Sequence, residues 1–337
     1  MCEKKSIPMV SVIMPIRNEA GSIERSLIAV MDQDYPHHRM EVLIADGMSS
    51  DATRDVIART IRNRSDIHVV VLDNPGRIVP TGMNVALRSA RGQLIIRVDG
   101  HTIVAPNYVS ECVSALLRTC ADNVGGRMCP IGEGRFGKAV AVATSSPFGV
   151  GGARFHYSKK EEWVDTVYLG AWRREVFDRI GTFDPEMVRN QDDEFNYRLL
   201  ANGGKILLSP KIRSQYLNRG TPKSLWKQYY QYGFWKVAVL QKHPRQMRPR
   251  QFLPPAFVAV LLGSGLMAPF ARWPRAVLAI VAGSYTAANG AASIWASLNH
   301  GLQYLPILPF VYGTLHLGYG LGFLVGLIHF RRRWRLR

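Results

Sequence analysis

The sequence predicts an α/β fold built on a mostly parallel sheet, followed by a helical membrane region. Short, nearly continuous apolar runs alternate with amphipathic stretches through the first hundred residues, the pattern of strands buried on both faces. Three long apolar stretches follow residue 250. Charge divides the chain in the same sense. All 25 acidic residues lie at or before Glu194, whereas residues 195–337 hold 19 of the 43 Lys and Arg.

The elements follow in order. "MVSVIMP" (9–15) reads as a strand, and "SIERSLIAVMDQ" (22–33) as a helix with Ser22 at its N-cap. "MEVLIAD" (40–46) is a second strand, and "SDATRDVIARTIRN" (50–63) a helix capped by Ser50 or Asp51. "HVVVLD" (68–73), "TGMNVALRSAR" (81–91) and "QLIIRVD" (93–99) continue strand, helix, strand. Ligands of such sheets bind beyond the carboxyl ends of the strands, where Asp46 and Asp99 fall.

Beyond residue 250, the stretches 252–271, 276–298 and 304–330 approach or exceed the roughly 20 residues that cross a bilayer. Positive charge favours two spans, 276–298 and 304–330, with 252–271 re-entrant or interfacial. Arg272, Arg275 and the cluster Arg331–Arg337 then share one side. Three full spans are the alternative. The segment 222–251, dense in Trp, Tyr, Lys and Arg, suits the headgroup layer. The expected divisions are therefore 1–221, 222–251 and 252–337.

A basic half suits nucleic acid or an anionic membrane surface. Its apolar content selects the membrane, so no nucleic-acid partner is expected. Cys2, Cys112, Cys120 and Cys129 show no paired short spacing, so no zinc site is suggested and unpaired thiols fit a reducing compartment. The start, "MCEKKSIPMVSVIMP", reads as neither a signal peptide nor a myristoylation signal. The first half is accordingly expected on the cytoplasmic side of an inner membrane.

Six ordered stretches then carry a resemblance. They are "VSVIMPIRNEAGSI" (10–23), "VLIADGMSSDAT" (42–53), "NPGRIVPTGMNVAL" (74–87), "IIRVDGHTIVAPNYV" (95–109), "VDTVYLGAWRREVF" (164–177) and "RNQDDEFNYRLLANGGKI" (189–206). Together they resemble the inverting glycosyltransferases of family 2, and within them the succinoglycan-type glucosyltransferases that extend lipid-linked exopolysaccharide. The resemblance implies a GT-A fold, a Rossmann-like nucleotide-diphospho-sugar transferase sheet. It also implies a UDP-sugar donor, a lipid-linked saccharide acceptor, a divalent cation (Mn²⁺ or Mg²⁺), and other polysaccharide-assembly enzymes as partners.

The resemblance distributes roles over this sequence. Pro15, Arg17 and Glu19 form the loop against uracil and ribose, and Asp46 accepts from the pyrimidine. Ser49 and Asp51 shape the following turn, Asp51 also reading as a plain helix cap. Arg77 and Asn84 lie where the family contacts the nucleotide. The Asp-x-Asp metal motif becomes Asp99-Gly100-His101, with Asp99 on ribose or metal-bound water and His101 on the metal. Imidazole in place of carboxylate favours Mn²⁺ relative to Mg²⁺. In "QDDE" (191–194), Asp192 becomes the general base, with Asp193 one residue later as the alternative because Gln191 replaces the family's Glu.

Gly170, Ala171, Trp172, Arg173 and Arg174 would line the acceptor side, the two arginines meeting lipid pyrophosphate or packing at the surface. Gln228, Gln231 and Tyr232 stand where processive synthases carry Gln-x-x-Arg-Trp. Loss of that Arg favours addition of a single sugar. A processive synthase and a non-catalytic nucleotide-sugar-binding regulator are the rivals, and the second predicts that base and metal residues are missing.

Overall fold

The computed structural model describes residues 7–62 and 64–332. In chain order the elements are β1 (Val10–Ile16), α1 (Ile23–Met31), β2 (Met40–Asp46), α2 (Thr53–Ile61), β3 (His68–Asp73), α3 (Val79–Ser89) and β4 (Leu94–Arg97). Next come β5 (Thr102–Val104), α4 (Tyr108–Arg118), β6 (Asn123–Ile131), α5 (Gly134–Thr144), α6 (Pro147–Val150), β7 (Glu162–Val164) and β8 (Tyr168–Arg173). The chain continues through α7 (Glu175–Ile180), α8 (Gln191–Ala201), β9 (Ile206–Leu217), α9 (Pro222–Lys242), α10 (Leu253–Met267), α11 (Arg272–His300) and α12 (Leu308–His329).

The strands form one sheet in the order β3-β2-β1-β4-β8-β6-β9-β5, with β7 on β9. The strands expected in residues 9–99 make its parallel part: β1 pairs β2 and β4, and β2 pairs β3. Beyond β4 the pairing turns antiparallel at β8. Every residue of β1 and β2 is buried, which explains their unbroken apolar runs. Val12, Met14, Ile44 and Ile96 join Leu27 and Leu116 in the core. The charged Glu41 is tolerated in β2 because Ser11 Oγ (2.6 Å) and the Arg91 backbone N–H (2.7 Å) donate to it. Pro15 is tolerated in β1 because pairing with β4 ends at Ile13.

The chain divides into two units, Met1–Cys129 with Tyr157–Tyr216, and Pro130–His156 with Leu217–Arg337. The boundary expected at 221 therefore misses one insertion: residues 130–156 belong with the C-terminal helices. Ala139, Val140 and Ala143 of α5 share a core with Leu308, Val311, Tyr312 and Leu315 of α12. A polar seam runs through this second unit. His316 Nε2–H donates to the Phe148 carbonyl (2.8 Å), so Nδ1 accepts from the Tyr285 hydroxyl (3.0 Å).

Three helical stretches are long and apolar enough to cross a membrane: Pro249–Met267, Arg272–His300 and Leu308–His329. The first covers residues 252–267 of the segment 252–271 expected to be re-entrant or interfacial. Half of the third is covered by protein. Much of that cover is α9, expected at the headgroups but packed along α12. Glycines permit the approach: a Cβ on Gly233 would lie 1.9 Å from the Tyr319 carbonyl, and one on Gly322 2.0 Å from that of Tyr230. Gly233→Leu is expected to destabilise this helix pair by the roughly 1–3 kcal/mol typical of overpacking. Thermal unfolding in detergent checks it, with Gly263→Leu, where nothing lies within 4 Å, as the control expected to be neutral. Of the terminal basic cluster, residues 333–337 lie outside the described residues, as do Met1 and Cys2.

Candidate active site

Each of the first three parallel strands ends beside a backbone irregularity. Asn18 follows β1 with φ 54°, Met48 follows β2 with φ 54°, and Arg77 follows β3 with φ 60°. Left-handed backbone at residues other than glycine costs energy and gathers at functional sites. The loops are stitched together. Asn18 N–H donates to Ser49 Oγ (2.9 Å), Ser50 N–H to Asn18 Oδ1 (2.9 Å), and Glu19 N–H to Thr53 Oγ1 (2.8 Å). Arg17 reaches the Arg77 carbonyl at 3.5 Å, so the exposed Arg17 and Arg77 share this end of the sheet. Asp51 is a helix-start residue, taking Thr53 N–H (3.1 Å) and lying below the usual carboxylate range, chiefly through the Thr53 hydroxyl.

Asp46 is fully buried. Its oxygens accept from Ser49 N–H (3.1 Å), Ser49 Oγ (2.5 Å) and Arg54 Nε (2.5 Å). Arg54 extends to Asp73 (2.5 Å) at the end of β3, and these two carboxylates, Asp73 first, hold its pKa above the ordinary guanidinium value. Arg54 thus ties β2 to β3, and sequence reasoning overlooked it. The clue was its place one residue into a helix that begins opposite two strand-terminal acids.

The motif at the end of β4 has two arms. Arg97 grips Asp99 with a fork, Nε at 2.7 Å and Nη2 at 3.0 Å. His101 Nδ1 lies 2.9 Å from Glu19 Oε1, and Glu19 Oε2 accepts from Ser22 Oγ (2.8 Å). Glu19 therefore orients an imidazole. With Nδ1–H donated to Glu19, Nε2 is the ring atom through which a neutral His101 would hold a cation, the arrangement that carboxylate–histidine pairs give metal sites. No cluster of three or more His, Cys, Asp or Glu suited to a metal occurs among the described residues. The donor set fits a cation that takes its remaining ligands from elsewhere, such as a diphosphate. Arg97 neutralises Asp99, which leaves His101 the better ligand of the two.

The acidic run starts α8. Asn190 stands before it in the left-handed region, φ 59°. Glu194 is buried and forked by Arg198 (3.0 Å to each oxygen), so it holds the helix rather than facing chemistry. Asp192 and Asp193 are half-buried, and Asp193 N–H donates to Asp192 Oδ1 (3.0 Å). Burial opposes the charge on Arg97, yet attraction from Asp99 and then Asp192 raises its pKa above the ordinary guanidinium value. Asp192 thus lies in the field of the same buried cation as Asp99.

The other expected site residues make the following contacts. Asn84 spends both amide atoms on Phe183, donating to its carbonyl (2.7 Å) and accepting from its N–H (3.0 Å). Ala171 and Trp172 are buried, and Trp172 packs on Phe177, Phe183 and Phe195. Gly170, φ 106°, accommodates that indole, since a Cβ there would lie 2.4 Å from it. Arg173 and Arg174 stand beside the opening of β4, opposite the end that carries Asp99. Arg173 donates to the Leu116 carbonyl, and Arg174 to those of Gly92 (2.8 Å) and Ala90. Gln228, Gln231 and Tyr232 lie on α9 of the second unit, where Gln228 donates to the Tyr232 hydroxyl (2.9 Å).

With this geometry established, comparison with known proteins is direct. The family model described as glycosyl transferase family 2 matches residues 11–181. The succinoglycan biosynthesis protein ExoA of Rhizobium meliloti (strain 1021) is 31% identical over 96% of this chain and 96% of its own. A dolichyl N-acetyl-alpha-D-glucosaminyl phosphate 3-beta-D-2,3-diacetamido-2,3-dideoxy-beta-D-glucuronosyltransferase of Methanococcus voltae is 28% identical over 69% of this chain and 74% of its own. The fold matches the mannosyltransferase PcManGT of Pyrobaculum calidifontis, solved with GDP-Man and Mn²⁺, at a TM-score of 0.61 and 20% identity, over 96% of this chain and 88% of that one. A GT-A sheet, a family match across half the sequence and a full-length relative agree: the chain belongs to glycosyl transferase family 2.

Proposed function

We propose that this glycosyltransferase adds a single sugar from a UDP-sugar to a lipid-linked saccharide at the cytoplasmic face of a bacterial inner membrane, during surface or exopolysaccharide assembly. Family resemblance favours glucose. The carrying observation is the end of β4, where Asp99 is forked by Arg97 and His101 is held by Glu19.

Asp192 accepts the proton of the acceptor hydroxyl as that oxygen attacks the anomeric carbon. The bond from that carbon to the diphosphate breaks on the opposite face, so an α-linked donor gives a β-linked product. A divalent cation bound through His101, when present, supplies positive charge to the departing diphosphate. Asp46 acts through Arg54 and Ser49, which it holds at the pyrimidine loop. Glu19 keeps the His101 ring in place. The three apolar helices hold the enzyme where a lipid-borne acceptor is found.

Titration of the purified chain with UDP-, GDP- and TDP-sugars tests the donor side. A UDP-sugar is expected to bind best, more tightly with Mn²⁺ than in excess chelator. Asp46→Ala is expected to weaken binding roughly 10–100-fold even in chelator, the worth of one or two hydrogen bonds to a charged group. Equal affinity for all three nucleotides would contradict the pyrimidine reading.

A further inference from the structure

We propose that the second unit meets the lipid bilayer through the α10–α11 pair alone, which enters and leaves on one side, while α12 does not cross and serves as the core on which that unit is built. The proposal depends on membrane attachment and not on which sugar is moved.

Composition makes α12 a span, but its surroundings are those of a core helix. From Val311 to Gly326 every residue is buried or half-buried. α9 runs beside it in the same direction. A Cβ on Gly318, Gly322 or Gly326 would lie 3.5, 2.0 or 2.7 Å from the carbonyl oxygens of Trp226, Tyr230 and Phe234, so the contact advances by one turn on both helices together. At the far end Gln241 Nε2 donates to the Phe330 carbonyl (3.0 Å). A crossing α12 would carry α9 into the hydrocarbon with it. α9 is 21 residues long, yet it is not, among the described residues, one of the stretches apolar enough to cross. It holds Lys223, Lys227, Lys236 and Lys242, with Lys236 buried, and ammonium groups are expensive at bilayer depth. α10 takes a further face, since a Cβ on Gly320 would lie 2.6 Å from the Pro254 carbonyl. The all-round apolar character of α12 therefore answers to protein rather than to lipid.

α10 and α11 are the opposite case. Leu262, Leu266, Phe270, Trp273 and Ile280, within and on either side of the turn 268–271, are exposed, Leu266 at 73% and Phe270 at 79%. Exposed arginines, Arg272 and Arg275, stand just after that turn. The apolar surface belongs to a stretch, 195–337, without Asp or Glu. That charge suits a bilayer carrying anionic lipid and opposes a second copy of the same positive chain. A pair that enters and leaves on one side also keeps Arg331–Arg337 with the catalytic half.

Thiol accessibility of the full chain in sealed right-side-out and inverted bacterial membrane vesicles tests this. A membrane-impermeant polyethylene-glycol maleimide shifts the chain on a gel once per accessible cysteine. The exposed Cys120 marks the side of the first unit. Gln303→Cys, between α11 and α12, and Arg331→Cys, after α12, are each expected to add one shift from the same side as Cys120. Either position labelled from the opposite side overturns the proposal: Gln303→Cys alone there means spans at 276–298 and 304–330, and Arg331→Cys alone there means three spans. All three labelled from outside keeps α12 out of the bilayer and removes the cytoplasmic orientation of the proposed function instead. Flotation with vesicles of phosphatidylethanolamine and phosphatidylglycerol reads the α10–α11 surface. Combining Leu266→Glu with Phe270→Glu is expected to lower the floating fraction roughly tenfold or more, because two charges then enter the lipid. A double variant that floats like wild type overturns the lipid contact, and one that also turns a wild-type dimer into a monomer assigns that surface to a second copy.

Discussion

Asp192→Asn is expected to lower sugar transfer by roughly 10²–10⁴-fold, the range for loss of a general base, with donor affinity nearly unchanged. The substitution keeps size and shape and removes only the site that takes the proton. Three neighbouring carboxylates test the assignment against one another. Asp193→Asn is expected to cost less, because its carboxylate would serve the start of α8 rather than take the proton. Glu194→Gln is expected to lower Tm rather than turnover per folded molecule, since Glu194 is buried against Arg198. Adjacent carboxylates can share a proton, so donor affinity and transfer rate are both measured for each variant. If Asp193→Asn abolishes transfer while Asp192→Asn stays active, the base lies one residue later than assigned.

His101→Ala is expected to reduce transfer with Mn²⁺ to the level of the wild-type chain in excess chelator. Glu19→Gln is expected to cost roughly 10–100-fold in metal affinity, the usual consequence of losing the carboxylate behind a ligating histidine. Electron paramagnetic resonance of Mn²⁺ in the presence of UDP reads metal binding directly and separates it from chemistry. Nucleotide binding in chelator should survive both substitutions, because Asp46, Ser49 and Arg54 do not depend on the cation. Full turnover of wild type in excess chelator would remove the metal from the account.

The parallel half of the fold was legible because β1, β2 and β4 are buried on both faces, and each of the four expected strands is present in that sheet, the edge strand β3 being the exposed one. Asp46, Asp99 and His101 were legible as polar residues ending apolar runs. Arg97 was visible in the same way, as a cation inside "LIIRVD", but its partner is two residues on and its field reaches α8 nearly a hundred residues away. Local pattern does not carry such pairings. The acceptor residues 170–174 illustrate the opposite failure. A Gly, a Trp and two Arg suggest a sugar site by residue type, whereas here the Trp fills an aromatic core and the arginines satisfy carbonyls. The packing of α9 on α12 was hidden because the decisive glycines of α12 lie in an apolar stretch that reads simply as a span.

The central claim is that this chain moves one sugar from a nucleotide onto a membrane lipid. The direct measurement uses membranes bearing the wild-type chain or Asp192→Asn, incubated with a panel of radiolabelled nucleotide sugars and Mn²⁺, then extracted into organic solvent. The account predicts that label from one UDP-sugar enters the lipid phase with the wild type, that Asp192→Asn nearly abolishes it, and that mild acid releases an oligosaccharide longer by one residue. Label that accumulates as long polymer, or that enters lipid equally well with Asp192→Asn, would contradict it.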